Sequence, residues 1–237
     1  MDISFIKEAL GIALSGVPIT LLVTFVALLI SVPIGFLFAL VRLKRIPILH
    51  QLTTIYVSFV RGTPIIIQIF VLYSSIPLII NQLLTANNIT FAIYDIHPLW
   101  YAFVIFSFNT AATLSEVFRG ALQTVDRGQL EAAHAVGLTT KQAYRSIIIP
   151  QMLVAALPNL CTATVNLIKA TSLGYAISLP EITLRTKVAA NLGYHYLEAY
   201  LVIFVVYLIL CLLVEQLFKW WEQYMRRHEG VSAYANH

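Results

Sequence analysis

The residues of this chain that could do chemistry are few, and they sit in apolar surroundings. Arg61, Glu116, Arg119 and Lys169 are ionisable groups within or beside long apolar runs. A charge placed in a bilayer costs about 2.5–3.5 kcal/mol by insertion scales, so each needs a partner, water or a task. Structural ion pairs, or snorkelling toward the inner interface, are the plainer use of Arg61, Glu116 and Arg119, beside a place on a solute path. Lys169 fits that use and a solute-facing use equally. The uncharged groups Gln68, Asn109, Thr113 and Asn166 lie in the same kind of sequence. Amides and hydroxyls offer donors and acceptors at modest desolvation cost, which suits a solute carrying both an ammonium and a carboxylate. Hydrogen bonding between helices is the plainer use of the same four residues. Nothing in the spacing points to a catalytic group or a metal centre. Cys161 and Cys211 read as buried free thiols rather than ligands or a disulfide.

The elements that must position these residues are membrane helices. The chain has 237 residues, 59% of them hydrophobic and only 11% charged. Its mean hydropathy is +0.82. No soluble fold hides that much apolar surface, so an all-α integral membrane protein in a lipid bilayer is expected. The basic residues flank apolar runs instead of forming one patch, which excludes a nucleic-acid partner. The first apolar run is too long, and lacks the basic start, for a cleavable signal peptide.

A hydrocarbon core of about 30 Å takes about 20 helical residues. Five spans are predicted at 17–41, 53–81, 98–119, 146–168 and 196–218, within a single transmembrane domain covering 1–237. Leu83 to Asp95 reads as an aqueous loop. Asn166 to Glu181, broken by Lys169, Gly174 and Pro180, reads as a bent segment packed against protein. Arg42, Lys44 and Arg45 follow the first span, Arg119, Arg127, Lys141 and Arg145 the third, and Lys219, Arg226 and Arg227 the fifth. The opposite side carries Lys7, Arg185 and Lys187. The positive-inside rule then puts the N-terminus outside and the C-terminus in the cytoplasm.

The loop at 120–149 is polar, basic and helix-forming. Asp126 with Gln129, and Thr139 with Gln142, have capping-box spacing. Arg127 to Val136 is predicted as a helix of about two and a half turns, closed by Gly137 in the left-handed region. Ala132, Ala133 and Ala135 give it a small face that a partner could approach closely, and Glu131 adds a carboxylate. An ordinary surface helix would have the same periodicity.

The order Glu131-Ala132-Ala133, then Gly137, then an Ile-rich run ending at Pro150 resembles the EAA loop of ABC-importer permeases. VRGTPIIIQ (Val60 to Gln68), SEVFRGALQTVDRGQLEAA (Ser115 to Ala133) and IKATSL (Ile168 to Leu173) resemble the polar-amino-acid branch of that family. The likeness runs in order from about Val17 to Phe218. It implies a type I importer permease fold. It makes Glu131, Ala132, Ala133, Gly137 and Leu138 the ATPase-coupling residues. It also implies two ABC ATPase subunits, a second permease copy or paralogue, an extracytoplasmic amino-acid-binding protein, and a bacterial inner-membrane location. No phosphate-binding glycine loop is present, so ATP-Mg belongs to the partner ATPase and this chain binds no cofactor. The branch usually has an acid after the lysine of the IKATSL segment; here Ala170 stands there. Within the branch the motifs lean toward cystine or a related sulfur compound, with arginine, glutamine or another amino acid as alternatives. An ion-coupled carrier and a non-transporting membrane scaffold are the rival classes. The first would need an inverted repeat and a midplane carboxylate, and neither is evident.

Overall fold

The computed structural model describes residues 2–89, 93–191 and 193–228. Its long elements are α1 (Ile3–Leu43), α2 (Leu49–Gly62), α3 (Ile65–Ala86), α4 (Pro98–Thr124), α5 (Arg127–Ala135), α6 (Thr140–Ala143), α7 (Ile149–Thr171), α8 (Ile182–Asn191) and α9 (Tyr196–His228). Among the described residues, five helical stretches are long and apolar enough to cross a membrane: Ile3–Leu43, Ile65–Ala86, Pro98–Thr124, Thr140–Ile177 and Tyr196–Met225.

The helix expected at 17–41 begins much earlier, at Ile3. Asp2 caps it, accepting from the backbone N–H groups of Ser4 at 2.9 Å and Phe5 at 3.3 Å. The Ser4 hydroxyl and these amides hold the Asp2 carboxyl below its ordinary range. Small and short residues recur along α1 on one buried face: Ala9, Ala13, Gly16, Thr20, Ala27, Ser31, Gly35 and Ala39. Hydrocarbon offers no hydrophobic drive between helices, so close backbone approach takes over. At Gly35 an added Cβ would stand 2.9 Å from the Leu114 Cβ and 3.0 Å from the Ser115 backbone nitrogen, so α1 and α4 all but touch. The Ser31 hydroxyl donates to the Ser107 carbonyl at 2.9 Å across the same seam.

The span expected at 53–81 is two helices, not one. Pro64 disfavours helical geometry for the residue before it. Thr63 accordingly turns extended, with φ −119° and ψ 145°. The break frees carbonyls that a continuous helix would satisfy. Gln68 repairs it: its amide nitrogen contacts the Val60 carbonyl at 2.7 Å, the Thr63 hydroxyl at 2.8 Å and the Thr63 carbonyl at 3.1 Å. Gln68→Leu is expected to cost about 1–3 kcal/mol through the orphaned buried acceptors. Thermal unfolding of the purified protein checks it; an unchanged midpoint would show that the break holds without the amide.

Other boundaries also move. α3 continues to Ala86, into the stretch expected as a loop from Leu83, and Ile93–Asp95 form a short 3₁₀ turn. The rest of that loop, residues 90–92, lies outside the described residues. The third helix runs past Arg119 to Thr124, and the fifth past Phe218 to His228. The fourth begins at Thr140 and carries a π-helical turn at Tyr144–Ile148 before α7. The bent segment ends in a 3₁₀ turn, Ser172–Ile177, closed by Ser178 at φ 58°.

Residues 182–191, between the fourth and fifth expected spans, form α8. The cause is Glu181, fully buried, which caps that helix by accepting from the N–H groups of Thr183 at 2.7 Å and Leu184 at 2.9 Å. Its carboxylate also accepts from the Tyr207 hydroxyl at 2.9 Å, tying α8 to α9. α8 packs on α1 at Gly16, where an added Cβ would lie 2.5 Å from the Ile182 nitrogen.

Candidate functional site

Among the described residues, α2, α4 and α7 each align polar groups along one exposed or half-buried face. On α4, Asn109, Thr113 and Glu116 are spaced four and three residues apart, so they share one face. On α7 the same spacing aligns Thr162, Asn166 and Lys169, all exposed. α2 has three distinct faces at 100° per residue. Thr53, Val57 and Val60 are buried; Leu52, Ile55 and Phe59 are exposed and apolar; Thr54, Ser58 and Arg61 are polar. The apolar face is the one suited to lipid. The polar stripes need water or another protein surface.

Asn109, Thr113 and Asn166 meet around one groove of about 240 Å³ between α4 and α7. Gln68 stands behind it. The Asn109 amide donates to the Gln68 Oε1 at 3.0 Å, while the Gln68 nitrogen is committed to the helix break. Gln68 therefore orients Asn109 and is itself buried. Lys169 is not in that groove. It lines a second one of about 320 Å³ between α7 and α9, with Asn166, Glu215, Lys219 and Glu222. Asn166 borders both.

Arg61, Glu116 and Arg119 converge, and the structure adds a fourth member, Arg42 from the end of α1. Glu116 Oε2 accepts from Arg119 at 2.7 and 3.0 Å. Glu116 Oε1 pairs with Arg42 and lies 3.9 Å from Arg61. Arg42 reads from sequence as a topology signal. What the sequence hides is that α1 and α4 run close enough for its guanidinium to reach Glu116 across the seam.

The polar loop forms a built corner. α5 is capped by Asp126, which accepts from Gly128 at 2.7 Å instead of completing the expected box with Gln129. At the other end Gly137 has φ +85°. Its N–H donates to the His134 carbonyl at 2.9 Å, and the Leu138 N–H to the Ala133 carbonyl at 3.0 Å. This is the paired bonding of a Schellman cap. Thr139 and Gln142 then make a reciprocal capping box that starts the helix leading into α7. Ala133 is buried, while Glu131, Ala132 and Val136 are exposed, Val136 at 77%. Glu131 also borders a cleft of about 380 Å³ with Lys44, Gln123, Asp126 and Tyr144. A large apolar side chain beside a small, acid-edged face, on a corner rigidly joined to a long helix, is suited to docking. Among the described residues no cluster of His, Cys, Asp and Glu could hold a metal ion.

Sequence reasoning missed Arg42, Glu181 and Tyr207. The clue to Glu181 was its place just after Pro180 and two residues before Thr183, where an acid serves as a helix cap. Tyr207 carried no such clue, because its role depends on α9 crossing α8.

Residues 31–227 match the family model described as "Binding-protein-dependent transport system inner membrane component". The chain is 34% identical over 227 residues to the probable amino-acid permease protein YxeN of Bacillus subtilis (strain 168), covering 96% of this chain and 97% of that one. It is 31% identical over 228 residues to the L-cystine transport system permease protein TcyL of the same organism, covering 96% and 93%. Among solved structures, it is similar to a chain of an amino acid ABC transporter crystallised with histidines, with a TM-score of 0.77, 26% identity, and 94% and 98% of the two chains covered. By family and by fold alike, the chain belongs to the binding-protein-dependent inner membrane components, as a multi-pass permease subunit of an ABC importer with the type I fold.

Proposed function

We propose that this chain forms one half of the path by which a polar amino acid crosses the inner membrane, with L-cystine the first candidate. The observation that carries the reading is the set of polar stripes on α2, α4 and α7, which face neither the core nor the apolar outer surface. Asn109, Thr113 and Asn166 line the path, Gln68 positions Asn109, and Lys169 borders the neighbouring α7–α9 groove. Similarity to amino-acid and cystine permeases supports the solute class.

Membership of the importer family supports the remaining parts of this reading. Two ATPase subunits bind ATP-Mg and dock on the α5 corner through Glu131, Ala132, Ala133, Gly137 and Leu138. A second permease, identical or paralogous, completes the path, and an extracytoplasmic binding protein delivers the solute. The N-terminus lies outside and the C-terminus in the cytoplasm, consistent with the basic residues after α1 and at the end of α9. ATP-driven closure of the ATPases moves α5, the helix from Thr140 follows, and the path opens outward.

The test is reconstitution of the chain with its ATPase and binding protein in liposomes, followed by uptake of labelled L-cystine. ATP-dependent accumulation, lost when the ATPase or the binding protein is left out, is expected. Accumulation by the chain alone would identify a secondary carrier. ATPase binding with no solute movement would identify a scaffold.

A further inference from the structure

The Glu116 cluster holds more positive charge than its carboxylate can use. Three guanidiniums, Arg42, Arg61 and Arg119, surround one carboxylate. Arg42 and Arg119 occupy its two oxygens, with the Arg119 bonds at 2.7 and 3.0 Å. Arg119 is further tied to the Gln123 amide oxygen at 3.1 Å. Arg61 approaches no closer than 3.9 Å, beyond hydrogen-bonding distance, and its side chain is 53% exposed against 13% for Arg42. Glu116 is therefore neutralised without Arg61. What Arg61 adds is a free charge at the end of a helix face.

That face has a direction. Arg61 stands on the polar side of α2 with Thr54 and Ser58, turned away from the apolar side formed by Leu52, Ile55 and Phe59. It also stands level with Glu116, one helical turn beyond Thr113 on the α4 stripe. Glu116 continues the α4 stripe of Asn109 and Thr113, two of the residues that line the groove, so Arg61 stands beside that stripe at its end nearer the α5 corner. A planar guanidinium with free N–H groups, in a site that already carries surplus positive charge, recognises a carboxylate in bidentate fashion.

We propose that Arg61 is a solute-binding residue of the path: it receives the carboxylate of the moving amino acid beside Glu116, at the end of the α4 stripe nearer the α5 corner, while Arg42 and Arg119 keep Glu116 occupied. The inference rests on the amino-acid reading above. Arg42 and Arg119 form the fixed scaffold, and Arg61 exchanges between a loose approach to Glu116 and the solute. Release follows because the half-exposed guanidinium is also open to water, which competes for the carboxylate.

The experiment uses the full complex in liposomes, with labelled L-cystine, L-arginine and L-glutamine as probes. Arg61→Gln is expected to lower the rate for the transported amino acid at least tenfold, whereas Arg61→Lys retains a third or more. Because Glu116 keeps two partners, both variants should reach the membrane at normal level and unfold within about two degrees of the parent. Vesicles of neutral phosphatidylcholine and vesicles containing anionic phosphatidylglycerol should give the same defect. Uptake by Arg61→Gln within twofold of the parent overturns the assignment and leaves the importer reading standing. A defect confined to the anionic vesicles assigns Arg61 to a lipid phosphate and also overturns it. Equal loss in the Lys and Gln variants, with a lowered unfolding midpoint, makes Arg61 structural. If the parent complex moves none of the three amino acids, the functional reading fails first and takes this one with it.

Discussion

Glu131→Lys is expected to abolish ATP-driven uptake while the chain still reaches the membrane at its normal level. The carboxylate sits on the exposed side of α5 and, among the described residues, makes no hydrogen bond or ion pair, so its reversal acts on whatever docks there. Surface substitutions of that kind usually change stability by less than about 0.5 kcal/mol. A reversed charge against a complementary partner group costs several kcal/mol, enough to separate the subunits. Gly137→Asp is the companion variant. An added Cβ at Gly137 meets nothing within 4 Å, so the only internal penalty is its left-handed backbone, φ +85°. That penalty is about 1–2 kcal/mol for an ordinary residue, and Asp is among those that tolerate the region best. Complete loss of uptake in Gly137→Asp would thus come from the partner's surface and not from unfolding. Normal uptake in both variants, at normal protein level, would contradict the docking role of the corner.

The second large effect is structural. Gly16→Ala places a Cβ 2.5 Å from the Ile182 nitrogen and 2.7 Å from the Glu181 carbonyl carbon and the Ile182 Cα. All three are backbone atoms, so no rotamer change relieves the contact. α8 must shift off α1, and with it the Glu181 cap and the Tyr207 hydroxyl bond at 2.9 Å. Overpacking alone costs about 1–3 kcal/mol. Disturbing a buried carboxylate adds to that. The expected result is a clear drop in membrane level and in unfolding temperature. Gly11→Ala is the control: it lies in the same helix, nothing stands within 4 Å of its added Cβ, and alanine favours helix by about 1 kcal/mol over glycine. Equal behaviour of the two variants would show that α8 does not pack tightly on α1 at Gly16.

These two sites differ in how far the sequence revealed them. The α5 corner was legible because its determinants are local: a cap residue, a glycine that permits φ > 0, and the Thr139–Gln142 box all act within a few positions. The five spans were legible because apolar length is a local property too. Their ends were not, since a helix continues past the bilayer wherever capping and packing allow, as α1 does to Asp2 and α9 does to His228. Pro64 was visible, yet whether a proline kinks or severs a helix depends on what satisfies the freed carbonyls. Pro18 and Pro33 sit inside continuous α1, whereas Pro64 opens a break that Gln68 repairs. Contacts across large sequence distances were hidden altogether: Arg42 with Glu116, and Glu181 with Tyr207. In the candidate path, residue type picked out Asn109, Thr113 and Asn166. Only the helix positions separate them from Gln68, which serves the fold, and from Lys169, which opens onto a different groove.

The most direct measurement is accessibility at the α5 corner. With Cys161 and Cys211 replaced by serine, His134→Cys offers a single thiol to a membrane-impermeant maleimide. Labelling in inside-out vesicles only, and its suppression when the ATPase subunit is bound, is the predicted result. Labelling of intact right-side-out cells, or unchanged labelling in the assembled complex, would contradict a cytoplasmic corner driven by a bound motor.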